Sequence, residues 1–364
     1  MLSTEEHEIY SRHLILEKIG LSGQLKLKNA SALVIGAGGL GCPVLQYLTA
    51  AGVGTIGIAD HDTVEKSNLQ RQILFGHSSL GKLKVDEAKK RLEDLNPFVN
   101  FKTFADGITI GNAIDLVSAF DIIVDCTDNF ETRYLINDAC FIQNKPLVYG
   151  AIHKFEGQVS VFNLNNGPTY RCLYPDLPDP KSVSNCADTG VIGILPGIIG
   201  TFQANEVIKI ITEIGTPLNG KLHVFNALNN QSNSYTIPKV EYEIYERIKI
   251  NGFDQNDYQF QCVTPVLEID VEAFLESKNS FEQIIDVREY NEYPIIEGLA
   301  SNVIPMGELH VRFGEIDPDK NTLIFCKRGI RSQMAIDFLK EQYNYKNLTN
   351  LKGGITFYPF EQEK

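Results

Sequence analysis

The chain has no tryptophan, no C-x-x-C pair, no internal repeat and no low-complexity tract. Its seven cysteines are an odd number without a pairing pattern, so they do not describe a disulfide framework. Free thiols in a long chain point to a reducing cytosol. Met1-Leu2-Ser3-Thr4-Glu5-Glu6 does not read as a signal peptide, and the expected location is cytoplasmic. Positive charge is in deficit: 33 Lys and Arg against 46 Asp and Glu leave a net charge of −13. Broad binding to phosphate backbones needs the opposite sign, so no nucleic-acid partner is expected. One uncharged run, residues 29–59, has the length of a membrane span. Gly36, Gly38, Gly39, Gly41, Pro43, Gly52, Gly54 and Gly57 interrupt it. It reads instead as strand, turn, helix and strand, and no membrane partner is expected.

What is present is an ordinary globular balance, 43% apolar and 22% charged, in 364 residues, enough for two or three domains. Ser3 and Glu6 have capping-box spacing, which predicts a helix over 3–16. Strands are predicted at 32–35, 55–59, 121–126, 147–152 and 158–162. Helices are predicted at 42–50, at 80–95 with Val85, Ala88, Leu92 and Leu95 on one face, and up to 143. This alternation implies an α/β fold with a doubly wound, mainly parallel sheet. A loop-rich stretch, 165–189, precedes an apolar helix over 191–211, which Pro196 should kink. Antiparallel strands are predicted at 221–228 and 234–237. The division is a first domain over 1–250, a polar linker at 251–262, and a smaller α/β domain over 263–364. In the latter, helices are predicted at 271–276 and 333–342 and strands at 283–287 and 322–325.

Gly36-Ala37-Gly38-Gly39-Leu40-Gly41 fits G-x-G-x-x-G between a strand and a helix, and the acidic Asp60 ends the next strand. This is a dinucleotide fingerprint: glycines let phosphate approach backbone N–H groups, and the carboxylate accepts from ribose hydroxyls. The motif does not separate NAD from ATP. Ser67-Asn68-Leu69-Gln70-Arg71-Gln72 follows, then Lys84 at a helix start, then Thr127-Asp128-Asn129 after a strand. In a parallel sheet the carboxyl ends of strands share one edge, where ligands bind. Arg71 and Lys84 bring cations there, and Asp128 brings a carboxylate suited to magnesium. A triphosphate needs that much charge, and one pyrophosphate rarely does. His61 and His77 read as loop and surface residues.

Residues 1 to about 245 resemble the MoeB/ThiF adenylyltransferases, relatives of the ubiquitin-activating enzymes. The resemblance runs through Tyr10-Ser11-Arg12-His13-Leu14, the glycine loop, Asp60-His61-Asp62, residues 67–72, Gly81-Lys82-Leu83-Lys84-Val85, Asp125-Cys126-Thr127-Asp128-Asn129, Gly157-Gln158 and Tyr170-Arg171-Cys172-Leu173. It implies a reaction with ATP and magnesium. The Gly-Gly carboxylate of a small ubiquitin-like sulfur-carrier protein attacks the α-phosphate and becomes an acyl-adenylate. By the same resemblance Gly36, Gly38, Gly39 and Gly41 cradle phosphates and Asp60 holds ribose. Asn68, Arg71 and Lys84 contact phosphates, and Asp128, with Asn129 beside it, binds magnesium. Arg12 would reach the partner subunit's site in a homodimer. Many relatives hold a structural zinc on two C-x-x-C pairs. Here Cys172 faces Thr169 in the first pair and the second is missing, so no structural zinc is expected.

Cys186, in Ser184-Asn185-Cys186-Ala187-Asp188, stands on a polar loop before an apolar helix, where a thiolate is stabilised. In fused relatives the similarly placed cysteine attacks the adenylate or takes part in sulfur transfer. From about 263 onward the chain resembles a rhodanese domain. The signatures are Ile284-Ile285-Asp286-Val287-Arg288-Glu289, Ile304-Pro305, Leu323-Ile324-Phe325-Cys326-Lys327-Arg328-Gly329-Ile330-Arg331-Ser332 and Gly353-Gly354. Backbone N–H groups aimed at the Cys326 sulfur, with Lys327, Arg328 and Arg331 nearby, suit an anionic persulfide. A cysteine desulfurase or thiosulfate would supply its sulfur. Cys42, Cys126 and Cys140 read as core residues, and Cys262 has no assignment. The expected sequence of events is adenylation followed by sulfur transfer to give a thiocarboxylate, in a molybdopterin, thiamine or thiolation pathway. Activation of a protein modifier, tRNA modification through adenylation, an NAD oxidoreductase with a rhodanese appendage and a non-enzymatic scaffold are the alternatives.

Overall fold

The computed structural model describes residues 1–175, 190–241, 245, 253, 267–294, 299–300 and 302–359. The chain divides into two compact units, Met1–Phe260 and Gln261–Lys364. Apart from Phe253, which is buried in the first unit's core, the linker expected at 251–262 lies outside the described residues.

The first unit opens on the expected capping box. The Glu6 N–H donates to the Ser3 hydroxyl at 3.1 Å, and the Ser3 N–H donates to the Glu6 carboxylate at 2.7 Å. The helix this box starts is not continuous to Leu16. It ends as α1, Thr4–Ile9, and resumes as α2, Ser11–Leu14. Tyr10 lies between them, buried, its hydroxyl accepting from Asn96 Nδ2. A third helix, α3 (Gly20–Asn29), has no sequence forecast.

Then come β1 (Ser31–Ile35), α4 (Gly41–Ala51) and β2 (Thr55–Ala59), resolving the uncharged run as strand, loop, helix and strand. They are followed by α5 (Lys84–Leu95), β3 (Asn100–Phe104), α6 (Ala113–Ser118), β4 (Ile122–Asp125) and α7 (Phe130–Ile142). On α5, Val85, Ala88 and Leu92 are buried as expected, whereas Leu95 in the last turn is exposed. After β5 (Leu147–His153), β6 (Glu156–Phe162) and α8 (Tyr170–Leu173) comes α9 (Ile194–Thr212), then β7 (Lys221–Asn226) and β8 (Gln231–Thr236).

The sheet order is β3-β2-β1-β4-β5-β6-β7-β8. Strands β3 to β5 pair in parallel, and β6 to β8 continue antiparallel. A strand buried on both faces reads as a continuous apolar run, and Ala32-Leu33-Val34-Ile35 is one. The chain reverses its direction of travel across the sheet between β1 and β4. That is the point where open α/β sheets bind ligands.

Helix α9 is long and apolar enough to cross a membrane by length and composition alone. Here it packs on β5, β6 and α4, with Leu195, Ile199, Ala204 and Val207 in the core. The kink expected at Pro196 does not occur. The helix begins at Ile194, so the proline sits in the first turn, where its missing N–H costs no helical hydrogen bond.

Where relatives were expected to place zinc, Cys172 forms a hydrogen-bonded hook. Its Sγ accepts from the Thr169 N–H at 3.3 Å and the Val240 N–H at 3.4 Å. Beneath it, Arg171 binds the fully buried Asp138 carboxylate with two hydrogen bonds, 2.8 and 2.7 Å long, and lies over the Tyr134 ring.

The second unit contains β9 (Leu267–Ile269), α10 (Val271–Ser277), β10 (Gln283–Asp286), β11 (Asn302–Val303), α11 (Leu309–Arg312), β12 (Thr322–Phe325), α12 (Ile330–Tyr343) and β13 (Leu348–Leu351). Its sheet is parallel throughout, in the order β11-β10-β12-β13-β9. Each face has its own core, one around Ile324, Ile336 and Leu339, the other around Phe274, Phe325 and Leu351.

A carboxylate buried as deeply as Asp138 is tolerable only with its partner in place. Arg171→Ala should therefore lower the stability of the first unit by about 3–5 kcal/mol, read as a shift in its urea midpoint.

Candidate functional site

The glycine loop leaves β1 at the switch point. Gly36 has φ +93°, and a Cβ there would lie 2.7 Å from the Cys126 carbonyl oxygen. A Cβ on Gly41 would lie 1.9 Å from the Gly36 oxygen. These two glycines are thus dictated by backbone packing. Gly38 is more open, with only the Gln72 side chain near. The loop is tied down from β2, where the Ala37 N–H donates to Asp60 Oδ2 at 2.7 Å. Asp60 Oδ1 accepts from the Asp62 N–H at 2.8 Å. Each oxygen keeps a lone pair for a hydroxyl.

Cations follow. Arg71 runs beside Gly39 and donates to the Ser67 carbonyl at 3.1 Å. Lys84 is buried at the start of α5, and its Nζ meets Asp62 Oδ2 at 2.7 Å. Asn68 is buried, and its Oδ1 accepts from the Glu65 N–H. Asn129 Oδ1 caps α7 at the Thr132 N–H. Asp128 lies between β4 and that cap; it is exposed, and its carboxylate accepts no hydrogen bond from the described residues. Among the described residues, no group of three or more His, Cys, Asp and Glu is placed to hold a metal ion. One free carboxylate does fit magnesium, which is usually shared between one or two carboxylates and substrate phosphates.

The loop that carries Asp128 is braced from below. The buried Asp125 carboxylate accepts from the Thr127 N–H and hydroxyl, Arg133 donates to the Thr127 carbonyl, and Gln203 from α9 donates to the Asp125 carbonyl at 2.7 Å. Burial pushes the Asp125 carboxyl above the usual range. The structure therefore gathers Gly36, Gly38, Gly39, Gly41, Asp60, Asn68, Arg71, Lys84, Asp128 and Asn129 around the carboxyl edge of β1, β2 and β4. Arg12 is not among them: it is exposed on α2 and makes no hydrogen bond or ion pair with them. His61 and His77 are exposed. Asp62, two residues past Asp60 in Asp60-His61-Asp62, has no role in the sequence motif; in the fold it bridges the Asp60 carboxylate and Lys84.

Cys326 directly follows β12, the middle strand of the second sheet, and precedes α12. It is buried, and its Sγ accepts from the Gly329 N–H at 3.2 Å. Gly354, with φ +61°, makes room for the turn: a Cβ there would lie 2.3 Å from the Cys326 carbonyl oxygen. Lys327 and Arg328 are exposed. Arg331 is not an open anion receptor, because it forms a two-pronged pair with Glu292, at 2.5 and 2.8 Å. This pair holds the Glu292 carboxyl down at about 2. Cys42, Cys126 and Cys140 are core thiols, as expected. Burial pushes Cys42 up to about 12 and raises the other two. Cys186 and Cys262 lie outside the described residues.

Residues 10–243 match the ThiF family profile. The chain belongs to the ThiF family. Residues 270–358 of this ThiF protein match the rhodanese-like domain. It is 39% identical to the probable adenylyltransferase/sulfurtransferase MoeZ of Mycobacterium tuberculosis, over 97% of this chain and 93% of that one. It is 37% identical to the adenylyltransferase and sulfurtransferase MOCS3 of Aedes aegypti, over 97% of this chain and 87% of that one. Among solved structures, it resembles E. coli MccB with ATP at TM-score 0.54 and 25% identity, covering 60% of this chain and 67% of that one. PaaA shares the fold, at TM-score 0.57 and 24% identity, covering 66% and 76%.

The Glu292–Arg331 pair gives the rhodanese unit of this ThiF-family chain an acid dependence. The folded carboxyl titrates at about 2 and the unfolded one near 4.5, so the unfolded state binds more protons between those values. The stabilisation is present above the unfolded value and is lost as pH falls towards the folded one. In urea titrations the gap between wild type and Glu292→Gln should be constant above about pH 5 and shrink at lower pH. A gap that does not change with pH would remove the pair from the account.

Proposed function

We propose that this protein spends ATP to adenylate the C-terminal Gly-Gly carboxylate of a small ubiquitin-like sulfur-carrier protein. It then passes sulfur from a Cys326 persulfide to the activated carboxylate. The chain is an adenylyltransferase and a sulfurtransferase. The observation that carries the reading is a pairing within one chain. One unit has a glycine loop at a switch point, with Arg71 and Lys84 on its β2 side and the Asp128 carboxylate across it, and the other has a thiol met by the Gly329 N–H in the loop after its central strand.

Each side chain then has a task. The glycine loop offers backbone N–H groups to phosphate. Asp60 orients that loop and accepts from ribose. Asn68 Nδ2, Arg71 and Lys84 meet phosphate oxygens and the charge that grows on the departing pyrophosphate. Asp128 would hold magnesium, which supplies further neutralisation of phosphate charge. The carrier carboxylate attacks the α-phosphorus, the bond to pyrophosphate breaks, and the acyl-adenylate remains. The outer sulfur of the persulfide then attacks the acyl carbon, and AMP leaves. A second thiol cleaves the resulting acyl disulfide and frees the thiocarboxylate; Cys186 is the candidate from this chain. Cys326 Sγ is buried, so the outer sulfur is the atom a partner meets. A cysteine desulfurase or thiosulfate loads it. Arg12, exposed on α2, would complete the neighbouring site of a homodimer. The setting is the cytoplasm. A tether between the two units raises the concentration of sulfur donor near the adenylate and limits its loss to water.

Pyrophosphate exchange into ATP should depend on magnesium and on a carrier ending in Gly-Gly. Asp128→Ala should abolish it with the fold retained, and Arg71→Ala should slow it by about 10²- to 10³-fold. Cys326→Ala should leave exchange intact and stop thiocarboxylate formation, followed by the mass of the carrier. Wild-type exchange in Asp128→Ala would end the magnesium role. Exchange with no carrier at all, in protein that binds ATP, would end the Gly-Gly assignment.

A further inference from the structure

Among the described residues, two groups hydrogen-bond the Cys326 sulfur: the Gly329 N–H at 3.2 Å and the Ser332 hydroxyl at 3.5 Å. Both lead back to one side chain, Asn350, on the neighbouring strand β13. Asn350 Nδ2 donates to the Gly329 carbonyl at 3.1 Å and to Glu268 Oε1 at 2.9 Å, with Gln333 Oε1 at 3.4 Å. Asn350 Oδ1 accepts from the Ser332 hydroxyl at 2.6 Å. Asn350 and Ser332 are both buried.

Chemistry fixes the orientation of this amide. A carbonyl and a carboxylate only accept, so the nitrogen must face Gly329 and Glu268 and the oxygen must face Ser332. The Ser332 hydroxyl then has one hydrogen for two acceptors. At 2.6 Å Asn350 takes it while Cys326 is a neutral thiol, and the serine oxygen turns a lone pair towards the sulfur. A charged sulfur is the stronger acceptor, and the hydrogen swings to it.

We propose that Asn350 is a positioning residue for sulfur transfer. It acts on Cys326 through the Gly329 loop and through the hydrogen of Ser332. This rests on the reading that Cys326 carries the sulfur. In loading, the Cys326 thiolate attacks the outer sulfur of thiosulfate, the thiosulfate S–S bond breaks, and sulfite leaves with the electron pair. In discharge to cyanide, the nucleophile takes the outer sulfur as thiocyanate, the persulfide S–S bond breaks, and the pair returns to Sγ as thiolate. No further oxidant or reductant enters. The charge on Sγ at both ends of the cycle is what Ser332 and Gly329 stabilise; Asn350 holds the Gly329 carbonyl throughout and sets the Ser332 hydroxyl beside the sulfur before its hydrogen turns there.

The test uses the full chain, loaded with thiosulfate and discharged by cyanide in a single turnover. Ser332→Ala should slow discharge about tenfold, the loss of one hydrogen bond to a charged group, and Ser332→Thr should restore it. Asn350→Leu should slow it at least as much, with KM for thiosulfate held within about twofold. Adding Ser332→Ala to Asn350→Leu should cost less than about twofold more, because the two act on one path. Wild-type discharge in Ser332→Ala overturns the proposal, and so do effects that multiply in the double variant. Ser332→Ala removes a single oxygen, so the test stands even if Asn350→Leu does not fold. A persulfide formed in Cys326→Ala would instead overturn the underlying reading and the proposal with it.

Discussion

The carbonyl oxygen of Cys126 occupies the space where a side chain at position 36 would have to go. Because Gly36 has none, and because its φ is positive, the end of β1 closes onto the end of β4. The Cys126 N–H donating to the Ile35 carbonyl at 2.9 Å extends the strand pairing up to that contact. The glycine loop and the Thr127-Asp128 loop therefore start from one fixed point. The Asp60 carboxylate holds the first loop from β2, and Asp125, Arg133 and Gln203 hold the second from beneath. The candidate nucleotide edge inherits its geometry from this join between backbones.

The second unit repeats the arrangement with different parts. Gly354, again with positive φ, packs on the carbonyl of Cys326, the first residue after its strand. In both units a cysteine follows the strand and a glycine makes the room, yet the two thiols differ. Cys126 is a core residue whose thiol burial holds protonated. Cys326 has a backbone N–H aimed at its sulfur and a hydroxyl beside it. The distinction lies in the loop that follows, one capping a helix with Asn129 and the other turning the Gly329 N–H towards the sulfur.

Local signals were legible in the sequence. The capping box at Ser3 and Glu6, the strand–loop–helix–strand of the uncharged run and the alternation of β and α all rest on neighbours within a few residues. The forecasts failed where tertiary context decides. Pro196 reads as a kink only until the helix is known to begin at Ile194. Strand β3 has no clean alternation, because its neighbours cover it unevenly. Helix α3 carries glycines at its start and a weak apolar face. Most of the candidate nucleotide residues could be named because motifs hold them at set spacings. The partners that tune them could not. Asn350 reaches Cys326 only because β13 pairs with β12 in the register that sets Asn350 beside Ile324. Arg331 looked like free charge until Glu292 folded over it.

The pair between Lys84 and Asp62 bears on how the edge discriminates among ligands. A buried ammonium cannot stand alone, and the exposed Asp62 carboxylate answers it. A newcomer that reaches Lys84 must outcompete an intramolecular rival rather than fill an empty electrostatic well. On the proposed reading, a singly charged anion would offer Lys84 no more than Asp62 does, whereas a polyphosphate would meet Arg71 and the loop as well. Asp62 would then set a threshold, and selectivity at this edge would come from exchange as much as from attraction.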